Sequence, residues 1–249
     1  MIKTTAIVGL AAIAFLGQAA APTEITVLSA GAIQPGLAAA AAAFEKQTGH
    51  AVKITYATAP QIAARAGGGE IPDVVIAPPA VLDELAKAGK VGERVTVGRV
   101  GVGVSVRAGA PAPDISSAEA LKRAVLAADS LVFNRASTGV YLDTLFKNMG
   151  IAEQIEGKIT RYADGTAVHE HVLKGRGSEI GFGAIPDILL HRDEGLRLVG
   201  PLPAEVQNFT TYAAAPMTAA TNAEEARAFV RYLGSAAAKT LFTAAGIEP

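Results

Sequence analysis

Ile25, Val27 and Leu28 interleave with Thr26 and stop at Gly31, the period-two pattern of a strand. The pattern then changes: residues 33–47 are alanine-rich, end in Glu45-Lys46 and are stopped by Gly49, as a helix is commonly stopped. The exchange repeats down the chain. A strand is expected at 52–56, a helix opened by Pro60 over 60–66 and ended by Gly67-Gly68-Gly69, a fully apolar strand at 74–77, and a helix over 81–88 closed by Gly89. Unbroken apolar runs such as Val74-Val75-Ile76-Ala77 suit strands buried on both faces, and strands alternating with helices imply a largely parallel sheet.

Residues 95–106 break this rhythm, alternating valine with glycine and polar residues for twelve positions without a helix. Such a strand is long enough to pass from one lobe to another. The alternation resumes with helix 117–126, strand 131–134, helix 138–149, a strand near 158–162, helix 166–173, strand 180–182 and a short helix over 185–190. Residues 209–214 read as a second crossing strand, and helices over 223–233 and 236–244 finish the chain. The pattern predicts an α/β protein of two lobes, each a mixed, mostly parallel sheet flanked by helices. Residues 22–100 with 210–249 form one lobe and 101–209 the other.

The first residues carry a different signal. Lys3 precedes an apolar run over 6–15, and small residues follow at Gly17, Ala19 and Ala21. This is the layout of a secretory signal peptide, expected over 1–21, with cleavage after Ala19 or Ala21. The apolar run is short for a membrane of ~30 Å hydrocarbon thickness. A periplasmic location is expected.

Composition narrows the function classes. With no cysteine in 249 residues, a disulfide, a thiolate nucleophile, a zinc–thiolate site and a lipoprotein anchor are all excluded. The formal charge is −1 and no basic block runs beyond two residues, which disfavours nucleic acid as a partner. Tryptophan is absent, so stacking platforms for sugars or bases are not expected.

Candidate chemistry lies in the strand-to-helix turns, because ligands of open parallel sheets bind beyond the strand ends, where helix N-termini favour anions. Four turns carry small polar residues: Ser29-Ala30-Gly31, Tyr56 to Pro60 with Thr58-Ala59, Asn134 to Gly139 with Arg135, Ser137 and Thr138, and Ala163 to Thr166 with Asp164-Gly165. Together they describe a cleft lined with donors, suited to an oxyanion or a carboxylate.

Read in order, ITVLSAGAI, FEKQTG, VKITYATAPQIAARAGGG, PDVVIA and ASTGVYLDTLFKNMGI resemble the periplasmic molybdate-binding proteins of ABC transporters, over essentially the whole mature chain. The resemblance implies the two-lobed type II periplasmic binding-protein fold with a two-strand hinge, and delivery of a bound anion to a membrane ABC permease. It also assigns roles. Ser29 matches the first-turn serine, Thr58 the second-turn serine, Thr138 a small residue before an amide-donating glycine, and Thr166 an amide-donating helix start. Ala184 falls where the family has a ligating tyrosine, and Gly31 where it usually has serine. These departures open room for a ligand larger than a tetrahedral oxyanion. Arg135 or Arg65, if turned into the cleft, would offer a carboxylate a bidentate fork.

Two functions stay open at the level of sequence: capture of a small anion for transport, or catalysis on the same scaffold. Aconitate isomerase also resembles the molybdate binders, and it moves a double bond by proton transfer beside carboxylates. In that reading Arg135 and the hydroxyls hold carboxylates and His169, or else Asp164, is the base. His169 and His171 are two apart on a helix and share no face, so no metal is expected. Gly181-Phe182-Gly183 lacks the lysine of a phosphate loop, so no cofactor is implied. A monomer is expected.

Overall fold

The computed structural model describes residues 22–249, so the expected signal peptide lies outside the described residues. Strand β1 (Glu24–Ala30) runs parallel to β2 (Ala51–Ala57) on one side and β3 (Val74–Ala77) on the other. Helices α1 (Gln34–Thr48), α2 (Ala59–Gly67) and α3 (Pro79–Lys87) follow these three strands in turn. All four residues of β3 are fully buried, as its unbroken apolar run requires. A short 3-10 turn (Gly31–Ile33) separates β1 from α1, and α1 ends at Gly49 with φ of 78°, a left-handed conformation that glycine adopts without a Cβ penalty.

Strand β4 (Val95–Arg107) is the spine of the molecule. Its first half, from Val95 to Gly101, pairs antiparallel with β9 (Phe209–Pro216), which in turn pairs with β3. Its second half pairs with β7 (Glu179–Ala184) on one edge and with β8 (Leu196–Pro201) on the other. Beyond β7, strand β5 (Ser130–Asn134) runs parallel to both β7 and β6 (Ile159–Tyr162). Helices α4 (Ala118–Ala127), α5 (Ser137–Asn148), α6 (Ala152–Ile155), α7 (Gly165–Lys174) and α8 (Ile185–Leu190) belong to this half. Helices α9 (Ala223–Leu233) and α10 (Ala236–Ala244) return to the first half, where α10 packs on α1.

Two main cores result. Around β1, β3 and β9, Phe44 meets Phe229 edge-on with centroids 5.0 Å apart. Around β5 and β7, Phe133, Phe146 and Phe182 form a triangle with centroid separations of 5.9–6.5 Å. The fold is the two-lobed α/β architecture that the sequence pattern predicts.

Two details differ from the sequence expectation. Strand β8 is not anticipated, because its residues follow the charged stretch Arg192-Asp193-Glu194 and are of mixed exposure, so no strong alternation marks it. Strand β9 does not itself cross between the halves, since it pairs only with β3 and the first half of β4. The return path is held instead by Gln207. Its side chain accepts from Val102 N and donates to Val102 O, both at 3.0 Å, imitating a strand partner where β4 changes neighbours.

Asp73, only 3% exposed, ties this architecture together at the start of β3. Its carboxylate accepts from Thr26 N at 2.8 Å, Thr26 Oγ1 at 2.9 Å, Asn222 N at 2.9 Å and Asn222 Nδ2 at 3.3 Å. It thereby joins β1, β3 and the residue that precedes α9. Burial alone would raise its pKa, but the donors from Thr26 and Asn222 outweigh burial and hold it below the usual carboxylate range. A depressed folded-state pKa contributes stability above the unfolded value, which is lost as pH falls through the folded one. Asp73→Asn is expected to cost about 2–3 kcal/mol at neutral pH. The gap between wild type and variant is expected to narrow in urea titrations near pH 3; a gap constant with pH would contradict the assignment.

Gly139 sits in the first turn of α5, where an added Cβ would overlap the backbone carbonyl oxygen of Asn134. Backbone cannot swing aside as a side chain can, so Gly139→Ala is expected to destabilise the chain by about 3 kcal/mol in the same assay.

Candidate functional site

The strand-to-helix turns converge on a cleft of about 370 Å³. From the first half come Ala30, Gly31, Ala32 and Gln34 after β1, and Tyr56, Ala57, Thr58, Ala59 and Gln61 after β2. From the second half come Asn134, Ala136, Ser137 and Thr138 after β5, Asp164, Gly165 and Thr166 after β6, and Ala184 and Asp187 after β7. Tyr212 of β9 completes the lining.

Local sequence decides which helix starts can serve a ligand. At α2 and α7 the first-turn groups are already used. Thr58 N and Oγ1 donate to Gln61 Oε1 at 2.8 and 3.1 Å, and Asp164 Oδ1 accepts from Ala167 N at 3.0 Å. At α5, at α8 and at the 3-10 turn the cap residue is Ala136, Ala184 or Ala30. Alanine has no side-chain acceptor, so it cannot satisfy the first amides as serine or aspartate would. Those amides, with the hydroxyls of Ser137, Thr138 and Thr166, give the cleft its donor character.

Its titratable groups are of the opposite kind. The lining contains Asp164 and Asp187 and no lysine, arginine or histidine. Asp187 Oδ2 lies 2.9 Å from His169 Nε2, and His169 stands behind it, 1% exposed. His169 Nδ1 is buried without a hydrogen-bond partner. Tyr212 is pushed up to about 12 by burial, against an opposing hydrogen bond from Ser137 and with a further upward push from the charge of Asp187. Tyr56 is pushed up to about 12 by burial as well. Both phenols are therefore neutral donors at physiological pH.

The candidates from sequence are distributed as follows. Ala30, Gly31, Thr58, Ala59, Ser137, Thr138, Gly165, Thr166 and Ala184 all line the cleft. Ser29 does not: it is fully buried and its hydroxyl donates to Ala30 O at 3.2 Å. Arg135 is exposed and outside the lining, because its position in the turn is fixed by its backbone N–H donating to Tyr162 O at 2.8 Å. Arg65 is drawn away by Glu70, with Nε 2.6 Å from a carboxylate oxygen. No guanidinium therefore reaches the cleft lining. His169 is close to the cleft but screened from it by Asp187. His171 faces elsewhere and meets the Tyr162 hydroxyl at 3.0 Å.

Asp187, Tyr212, Gln34 and Gln61 are missed by sequence reasoning. Asp187 had a legible signal, as the acid in the first turn of a helix that follows a strand end. Tyr212 had none, since it enters from a strand remote in sequence.

His169, Asp187 and His191 are the described group that could approach a cation, with ligand atoms within 4.8 Å of one another. That spread exceeds the roughly 3.4 Å between ligands of a tetrahedral zinc. Instead His169 Nε2 pairs with Asp187 Oδ2 at 2.9 Å, and His191 Nδ1 turns to Glu194 Oε1 at 3.0 Å. Among the described residues, no helix is long and apolar enough to cross a membrane.

Comparison with known proteins supports the fold. Over 237 residues the chain is 34% identical to aconitate isomerase of Pseudomonas sp., covering 91% of this chain and 88% of that protein. Among solved structures, the Azotobacter vinelandii periplasmic molybdate-binding protein superposes with a TM-score of 0.76 at 19% identity, covering 90% of this chain and 99% of that one. The sulfate-binding protein SubI of Mycobacterium tuberculosis gives a TM-score of 0.70 at 20% identity, covering 91% and 87%. At such identities the structures share a fold and no more is carried over. Residues 25–248 match the family described as bacterial extracellular solute-binding protein, and the chain belongs to that family.

Proposed function

We propose that the chain captures a small organic carboxylate in this cleft, in the periplasm, and presents it to a membrane ABC permease. The observation that carries this reading is the lining itself. Amides at alanine-capped helix starts and neutral hydroxyls supply many donors spread along the cleft, enough for the several carboxylate oxygens of an organic acid. A cleft of about 370 Å³ also suits a molecule larger than such an oxyanion. Residues 22–100 with 210–249, and 101–209, then act as two bodies that close by bending where β4 and Gln207 link them. The working form is a monomer and needs neither cofactor nor nucleic acid.

A second reading has its own support. The likeness to an aconitate isomerase extends over nearly the whole chain, and Asp187 with His169 behind it is an acid–base pair at the cleft wall. A carboxylate there can take a proton from one ligand carbon and return it to another as the double bond moves, with no net change of atoms or charge. The charged groups named from sequence, Arg135 for the carboxylates and His169 as direct base, are replaced in this reading by amides, hydroxyls and Asp187.

A thermal-shift panel of purified protein with molybdate, tungstate, sulfate, phosphate, citrate and both aconitate isomers separates the ligand classes. A true ligand at a thousandfold excess over Kd is expected to add about 4 kcal/mol of stability. A shift with carboxylates and none with oxyanions is expected; a shift confined to molybdate and tungstate overturns the proposal. Conversion of trans- to cis-aconitate by the same sample would establish the second reading. Gly165→Ala is expected to abolish most of the ligand-induced shift, because its Cβ overlaps Asp187 Oδ2 and drives that carboxylate from its place.

A further inference from the structure

A donor-lined cleft that receives an anion next to an aspartate faces a charge conflict. Asp164 takes less part in it, because it is exposed and water screens its charge. Asp187 is the more enclosed of the two: its side chain is only 19% accessible and the lining offers no lysine or arginine beside it. Behind it His169 has one ring nitrogen on the carboxylate and the other buried and unpartnered. The pair therefore has unused capacity to hold a proton, and bulk water reaches only its Asp187 side.

Resting on the carboxylate reading above, we propose that the Asp187–His169 pair takes up one proton from solvent when an anion enters the cleft, so that ligand and proton bind together. The proton cancels the charge of Asp187 and turns its carboxyl from an acceptor that repels the ligand into a donor that holds it. The surroundings leave this pair as the seat of the change. From β9, Tyr212 is a neutral phenol whose burial keeps it so. At the end of α8, the His191 ring lies 4.8 Å from that of His169 and is engaged with Glu194. From β7 the backbone at Gly183 approaches the imidazole, and β4 and β8 meet α8 through Gly103 and Leu198, which carry no charge. The packing beneath α7 and α8 is Val168, Val172 and Ile188. Of these groups, the pair alone joins a carboxylate in the cleft lining to a buried ring nitrogen without a partner.

The test is titration calorimetry with trans-aconitate as the probe, at pH 7.5, in two buffers of different ionisation enthalpy. About one proton taken up per ligand is expected, with affinity falling about tenfold per pH unit on the alkaline side. Asp187→Asn, checked for folding by near-ultraviolet circular dichroism, is expected to bind without proton uptake and with affinity independent of pH. Glu170→Gln, on the same helix as His169 but outside the lining and paired with Lys174, is expected to keep the uptake. Binding by the wild type with no proton uptake overturns this inference alone, as does uptake that survives Asp187→Asn. No binding of trans-aconitate at all removes the carboxylate reading and this inference with it.

Discussion

The thirteen residues of β4 serve two half-sheets in succession, and most of the molecule follows from that continuity. A strand has two edges, and each backbone group on them must find a partner when buried. Along the first half of β4 one edge is filled by β9. Along the second half both edges are filled, by β7 and β8. Where one set of neighbours gives way to the other, Gln207 lends an amide side chain to Val102 in place of a strand. The alternating valines and glycines of β4 suit this double duty. Valine fills both cores, while Gly98 and Gly103 let Glu248, Ile185 and Leu198 approach closer than any Cβ permits.

Because both half-sheets hang from one strand, the turns after β1 and β2 face those after β5, β6 and β7 across a single gap. The donor character of that gap is set by small residues. Alanine at three cap positions leaves amides for a ligand, whereas threonine and aspartate at the other two keep theirs within the chain. The hydrogen-bonded acid–base pair at the gap is Asp187 with His169. Asp187 is held by a histidine buried in the packing of α7 and α8, so the carboxylate is oriented by a residue outside the cleft lining.

Much of the fold is legible in the sequence because burial dictates pattern. Fully enclosed strands such as β3 must be apolar throughout, and glycine or proline must stand where helices stop and start. The residues on the turns are equally legible, since a parallel sheet puts every such turn at the same end. What escaped is whatever depends on neighbours distant in the chain. Strand β8 has no pattern of its own because its exposure is mixed, and Tyr212 reaches the cleft only because β9 lies beside β4.

Side-chain direction is the other quantity that sequence left open. Arg135 and Arg65 occupy places from which a guanidinium could reach an anion, yet the first is exposed outside the lining and the second is paired with Glu70. His169 stands one turn into its helix, near the cleft, but the helix starting after Ala184 places Asp187 in front of it. The sequence by itself determined the element order, the two-part α/β plan and the set of turns that meet. Only the tertiary structure decided which side chains face the gap, because a rotamer is chosen by the partners that packing brings within reach, and those partners lie far away along the chain.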